Sequence, residues 1–226
     1  MTLVFDYDGT LHNTAHLYGC AVRKVLEGLR EQGYRTPENC SDAELSRYLG
    51  VSAPEMWEDF LPELSEEKKL QAAKLVGAEM ERGILSGNAE LYPGIPEVLD
   101  VLQAAGYRMV ILSNCGKDYL TAHRKQFGLD HWFSDYYSAG AYDYAPKEAI
   151  FQIICREHPD EQYLVIGDRY SDFRVGLVHG CPVIGCAYGF GTPKERSCCN
   201  AIAQAPEELA ALIGQLEKTE KNKKTS

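Results

Sequence analysis

The chain alternates short aliphatic runs with longer segments in which apolar residues recur every three or four positions. Thr2 to Phe5 is the first short run; it stops at Asp6, and Gly9 marks a tight loop beyond it. From Asn13 to Leu29, the residues Leu17, Ala21, Val22, Val25, Leu26 and Leu29 form a broad apolar face, which predicts a helix closed by Gly33. The stretch from about 34 to 88 carries only helix signals. Ser41 with Glu44 and Ser52 with Glu55 both read as capping boxes, and a further helix is expected from Ser65 to about Gly83.

The rhythm changes after Leu91-Tyr92-Pro93-Gly94. A helix is expected from about Ile95 to Ala105, then a buried strand over Tyr107 to Leu112, then a helical stretch to Phe127. Tyr136 to Ala139 is a weaker strand, and Lys147 to about Glu157 a helix. Tyr163 to Ile166 is a strand halted by Gly167-Asp168, and Ser171 to His179 a helix. Pro182 to Gly185 reads as the last strand, a final helix begins near Pro206, and the Lys-rich end from Lys218 to Ser226 reads as a frayed tail. Strands alternating with helices imply an α/β fold: a Rossmann-like parallel sheet core flanked by helices. The purely helical stretch reads as an inserted module. The expected division is a core over 1–13 and 89–226 with an all-helical insert over 14–88.

Candidate chemistry gathers at predicted strand ends, where parallel α/β sheets bind ligands. Asp6-Tyr7-Asp8-Gly9-Thr10 follows the first strand, and alternation predicts that Asp6 and Asp8 leave on one side. Two carboxylates so close invite a divalent cation, although an acidic turn in solvent has the same composition. Ser113-Asn114 follows the strand 107–112 and could donate to phosphate oxygens, as could free N–H groups of the next helix. Lys147 opens a helix after Pro146, an electrostatically unfavourable place for a cation that invites a functional account. Gly167-Asp168-Arg169-Tyr170-Ser171-Asp172 closes another strand with two acids placed as neighbours once a helix begins. Together these groups suit phosphoryl transfer, which needs an aligned nucleophile and cations against the phosphoryl oxygens. The glycines Gly185, Gly189 and Gly191 lack dinucleotide-loop spacing.

Composition narrows the partners. With 226 residues, 33 acids against 23 Lys and Arg and a net charge of −10, the chain has no general attraction for nucleic acid or anionic membranes. No apolar run approaches the ~18 residues of a membrane span, and Met1 to Phe5 is too short for a signal segment. The eight cysteines show neither C-x-x-C nor zinc spacing; reduced, mostly buried thiols and a cytoplasmic setting are expected.

The four pieces, in this order, resemble the haloacid dehalogenase superfamily of phosphatases from Thr2 to about Gly191. Leu91-Tyr92-Pro93-Gly94 and Tyr188-Gly189-Phe190-Gly191 are similar to its phosphoglycolate-phosphatase-like branch. The resemblance implies a Mg2+-dependent phosphoric monoester hydrolase acting on a small-molecule phosphate as a monomer or homodimer. By it, Asp6 is the nucleophile and Asp8 the general acid and base, and Mg2+ is held by Asp6, the Asp8 carbonyl and Asp168. Ser113, the Asn114 amide and Lys147 bind phosphate. Thr10 braces the loop, and Asp172 supports the metal or orients Lys147. The helical insert corresponds to the branch's mobile cap. The dehalogenating members lack an acid at this position, because halide leaves without protonation, so Asp8 favours phosphate chemistry over dehalogenation. Two positions depart from the branch: Pro146-Lys147 reverses its usual Lys-Pro order, and Asn13 stands where an acid is common.

Rival readings share these residues. A sugar phosphomutase of the β-phosphoglucomutase kind would pass the phosphoryl group to another hydroxyl, with His12 and His16 as candidate acid/base groups. Inorganic pyrophosphatase is a third activity. A non-catalytic binding or regulatory module is the reading from another class; the complete set Asp6, Asp8, Lys147 and Asp168 argues against it. Substrate choice falls to residues of the insert, for which Arg23, Arg47 and Trp57 are candidates.

Overall fold

The computed structural model describes residues 1–49, 53–159 and 162–225. They divide into two compact units: Met1–His12 with Leu91–Ser226, and Asn13–Glu90. The first opens on β1 (Thr2–Phe5). The second consists of α1 (Thr14–Glu31), α2 (Asp42–Ser46), α3 (Ala53–Phe60) and α4 (Glu66–Leu85), with no strand among its described residues. Ser41 caps α2 through a complete capping box with Glu44, and the Ser65 side chain caps α4 by accepting the Lys68 N–H. The second expected box, Ser52 with Glu55, lies outside the described residues. Val22, Leu26, Leu45, Trp57, Ala72 and Val76 are buried together as this unit's own core. Trp57 is therefore a packing residue of the insert, while Arg47 pairs with the exposed Asp59 and Arg23 with Asp42.

After Leu91 the chain completes the first unit. It runs through α5 (Ile95–Ala104), β2 (Arg108–Ser113), α6 (Lys117–Phe127), β3 (Asp135–Ser138), α7 (Lys147–Glu157), β4 (Tyr163–Gly167), α8 (Tyr170–His179) and β5 (Val183–Cys186). A short α9 (Pro193–Arg196), β6 (Ala201–Ala203) and α10 (Leu209–Thr225) follow. The strands form one parallel six-stranded sheet in the order β3-β2-β1-β4-β5-β6.

Alternation along the strands builds two apolar layers. Leu3, Phe5, Met109, Ile111, Leu164 and Ile166 face one side, where Ile95, Leu99 and Leu102 of α5, Leu120 of α6 and Ile213 of α10 cover them. Val4, Val110, Leu112 and Val165 face the other, covered by Ile150, Phe151 and Ile154 of α7 and Phe173 of α8. Both faces are buried, so the strands read as continuous apolar runs. Strand order reverses direction about β1, whose neighbours are β2 and β4. The crevice beyond the carboxyl end of β1 is thus the topological switch point.

Three expectations change. Val183–Cys186 is not the last strand, because Ala201–Ala203 adds β6 beside it; three residues are too few to show a period in sequence. The Lys-rich end is not a frayed tail: α10 continues to Thr225, with Glu217 and Lys221 paired one turn apart. The eight cysteines are free, but only Cys186 is buried; Cys20 is exposed and the rest are half-buried. No helix of the described residues is long and apolar enough to cross a membrane.

Candidate active site

β1 delivers Asp6 into the switch-point crevice, where its backbone N–H still donates to the Ile166 carbonyl of β4 at 2.8 Å. The residue is only 7% exposed. Lys147, the first residue of α7, is also buried and places Nζ 2.5 Å from Asp6 Oδ1 and 2.5 Å from Asp172 Oδ1. These ion pairs account for a lysine at a helix N-terminus: two buried carboxylates outweigh the unfavourable helix dipole. Burial alone pulls the Lys147 pKa down, but the charges of Asp172 and Asp6 override it and hold the ammonium above its ordinary range. Thr10, fully buried, donates its hydroxyl to Asp6 Oδ2 at 3.4 Å.

Asp168 arrives from the β4–α8 turn and Asp172 from the first turn of α8. Asp172 Oδ2 accepts the N–H groups of Arg169, at 2.9 Å, and Asp168, at 3.2 Å, so the acid caps its own helix while its other oxygen holds Lys147. Asp168 Oδ2 accepts the Phe190 N–H at 2.7 Å, whereas Asp168 Oδ1 is buried with no partner among the described residues. Oxygens of Asp6, Asp168 and Asp172 lie within 4.8 Å of one another. Burial, then the Asp172 charge, pushes Asp168 up to about 7. The same two causes raise Asp6 well above the carboxylate range, with Lys147 opposing. Three buried acids against one ammonium leave negative charge uncompensated, and one of them, Asp168, holds a buried oxygen with no partner among the described residues. This is the donor set of a hard divalent cation.

The glycines set aside as a cofactor loop have a packing role here. A Cβ at Gly189 would lie 2.4 Å from both Asp168 Cβ and the Gly9 carbonyl, and one at Gly191 would lie 1.8 Å from the Asp168 carbonyl. The segment 188–191 can lie against Asp168 and donate the Phe190 N–H only because those side chains are missing.

Asp8 departs from the simple alternation. β1 ends at Phe5, and the Tyr7 carbonyl accepts the N–H groups of Leu11 and His12, each at 2.9 Å, which turns the loop back. Gly9, at φ 85°, supplies the left-handed residue that this turn needs. Asp6 thus meets α7 and α8, while Asp8 Oδ1 accepts the Tyr119 hydroxyl of α6 at 2.7 Å and pairs with His12 Nδ1 at 3.0 Å. α6 covers the opposite sheet face, so the two acids partner different layers. Ser113, buried at the end of β2, accepts the Cys115 N–H on Oγ at 3.3 Å, and Asn114 beside it is exposed. Both stand next to β1, at the entry to α6.

The profile of the family described as haloacid dehalogenase-like hydrolase matches residues 3–186. The chain belongs to this family. Within the haloacid dehalogenase-like hydrolases it is similar to phosphoglycolate phosphatase of Haemophilus influenzae, 26% identical over 82% of this chain and 85% of that protein. The Vibrio parahaemolyticus enzyme of the same name is 24% identical over 93% of this chain and 95% of its own length. Among solved structures, a predicted phosphoglycolate phosphatase from Haemophilus somnus superposes with TM-score 0.76 at 22% identity, covering 94% of this chain and 97% of that one. A candidate β-phosphoglucomutase from Thermotoga maritima gives TM-score 0.71 at 20% identity, with 95% and 98% covered. At these identities the structures share the fold.

Sequence reasoning missed Tyr119, the His12–Asp8 contact and the Phe190 N–H on Asp168. His12 stands four residues after Asp8, a usable signal; nothing in the sequence ties Tyr119 or Phe190 to the acids. His16 pairs with Asp42 at 3.1 Å inside the helical unit.

Proposed function

We propose that this hydrolase is a phosphatase that removes the phosphoryl group of a small-molecule monoester through an aspartyl-phosphate on Asp6. The carrying observation is the buried Asp6 carboxylate held between Lys147 and Thr10 beside Asp168 and Asp172. Asp6 attacks phosphorus, forming an Asp6 O–P bond as the ester P–O bond breaks. Asp8 gives its proton to the leaving alkoxide, then takes one from the water that releases inorganic phosphate. Lys147 opposes the burial that favours the neutral Asp6 acid, and it offsets charge on the phosphoryl oxygens. Ser113 Oγ and the Asn114 amide supply hydrogen bonds to those oxygens.

Mg2+ fits the orphaned oxygen and excess charge of the cluster. Asp6, Asp168 and the Asp8 carbonyl would hold it, with Asp172 keeping Lys147 in place, and it would neutralise the phosphoryl oxygens. The names of the relatives support 2-phosphoglycolate as the first substrate to try. The helical unit over 14–88 is read as the cap that selects it. A cytoplasmic setting is supported by the eight free thiols.

The test is phosphate release from p-nitrophenyl phosphate and from a panel of phosphoglycolate, nucleoside monophosphates, sugar phosphates and pyrophosphate. Activity should vanish with EDTA and in Asp6→Asn; full turnover by Asp6→Asn would refute the nucleophile. Isomer formation from a hexose 1-phosphate, without free phosphate, would replace the phosphatase by a mutase.

A further inference from the structure

Asp8 is gripped from behind by a buried aromatic assembly that the reaction scheme above leaves unused. The Tyr119 hydroxyl and His12 Nδ1 converge on the same oxygen, Asp8 Oδ1, at 2.7 Å and 3.0 Å. The carboxyl oxygen that carries no proton only accepts, so with the acid's proton on the other oxygen, His12 protonated on Nδ1 and the Tyr119 hydroxyl both donate to Oδ1. The His12 side chain is fully buried while that of Asp8 is 28% exposed, so the ring fixes the acid from the protein side. His12 is itself immobilised: Tyr7 stacks on it at 5.5 Å, and the His123 ring meets it edge-on at 4.4 Å. Tyr7 and His123 are joined by a hydrogen bond of 2.7 Å. The His12 backbone is tied as firmly, bridging both Asp8 and Leu91, where the chain leaves and re-enters this unit.

Packing alone would be met by an apolar residue at position 12. What only a histidine with Tyr119 supplies is a pair of donors on one carboxyl oxygen, which fixes the orientation of the Asp8 carboxyl group. We propose that His12 and Tyr119 are positioning residues that orient Asp8 for proton transfer to the departing oxygen. The proposal rests on the assignment of Asp8 as the general acid.

The experiment compares kcat/KM for phenyl phosphate and p-nitrophenyl phosphate in the magnesium-loaded enzyme. The two substrates have nearly the same shape, but the nitro group stabilises the leaving oxyanion and reduces its need for a proton. kcat/KM reports the first phosphoryl transfer and excludes the later hydrolysis. Asp8→Asn should lose about 100-fold or more on phenyl phosphate and much less on the nitro compound. Tyr119→Phe and His12→Leu should show the same bias at about tenfold, carried by kcat with KM steady. His12→Asn, whose amide can donate from nearly the Nδ1 position, should recover most of the loss. Tyr119→Phe removes one hydroxyl from a retained ring, so it tests the idea even if His12→Leu fails to fold. If Tyr119→Phe slows both substrates equally while Asp8→Asn stays selective, the positioning role is wrong and the acid stands. If Asp8→Asn is itself unselective, both fall.

Discussion

Substituting Lys147 by methionine keeps an unbranched chain of similar length and removes the ammonium that touches Asp6 and Asp172, each at 2.5 Å. All three side chains are nearly inaccessible, so water cannot replace the lost partner. Breaking a buried ion pair from one side costs about 3–5 kcal/mol, because the remaining charge stays desolvated. Here two carboxylates lose their partner, and Asp168 adds repulsion. With a urea dependence near 3 kcal/mol/M, a loss of about 3–5 kcal/mol lowers the unfolding midpoint by about 1 M or more. The assay is urea denaturation followed by circular dichroism, in EDTA and in MgCl2. Magnesium should raise the midpoint of Lys147→Met more than that of the parent, since the cation supplies the missing positive charge. Turnover should fall at least about 100-fold in magnesium, the scale of losing one fixed electrostatic partner of the transition state. An unchanged midpoint in EDTA would show that the two ion pairs contribute no net stability. Turnover at the parental rate would remove Lys147 from the chemistry.

Asp168→Asn should abolish the magnesium-induced rise in melting temperature while leaving the metal-free protein at least as stable, because it relieves repulsion in the cluster; a retained magnesium shift would exclude Asp168 as a ligand. Gly189→Ala forces a Cβ to 2.4 Å from Asp168 and the Gly9 carbonyl, and should cost about 1–3 kcal/mol of stability along with activity, read by calorimetry and phosphate release. His123 is buried neutral, its pKa lowered to about 3 by burial and then by His12. The unfolded chain therefore takes up this proton first. The stability tied to the neutral ring is intact above the unfolded pKa of about 6.5 and is lost as pH falls from there towards 3. At pH 5 the loss is about 2 kcal/mol, from ~1.5 pH units below the unfolded pKa. His123→Leu should flatten that limb of a urea-midpoint series against pH; an unchanged slope would contradict the burial argument.

The elements that were legible in sequence were those with enough length or a chemical stop. Tyr163–Gly167 is an apolar run ended by Gly167-Asp168, and Lys147–Glu157 has Pro146 before it. β6 was illegible because Ala201–Ala203 draws its order from pairing with β5. The end of α10 read as tail because lysines suit solvent and helix alike, and the helix is anchored by tertiary contacts, the burial of Leu209 and Ile213 and the Tyr107 hydroxyl on Glu217. Within the site, Asp6, Asp168 and Lys147 stood out because acids at strand ends and a cation at a helix start are costly without a reason. Tyr119 carried no such anomaly: a tyrosine on an amphipathic helix reads as ordinary core.

By itself the sequence determined the layered α/β class, the helical insert and the inventory of ionisable groups at strand ends. Those follow from periodicity and turn residues, which are local properties. Only the tertiary structure decided which groups meet. Asp6 and Asp8 are two residues apart, yet the turn at Gly9 sends one to Lys147 and Asp172 and the other to Tyr119 and His12. That partition depends on which helices cover each sheet face, through contacts spanning more than a hundred residues in the cases of Lys147 and Tyr119. No local pattern encodes a contact of that separation, because it exists only once the sheet has ordered its strands.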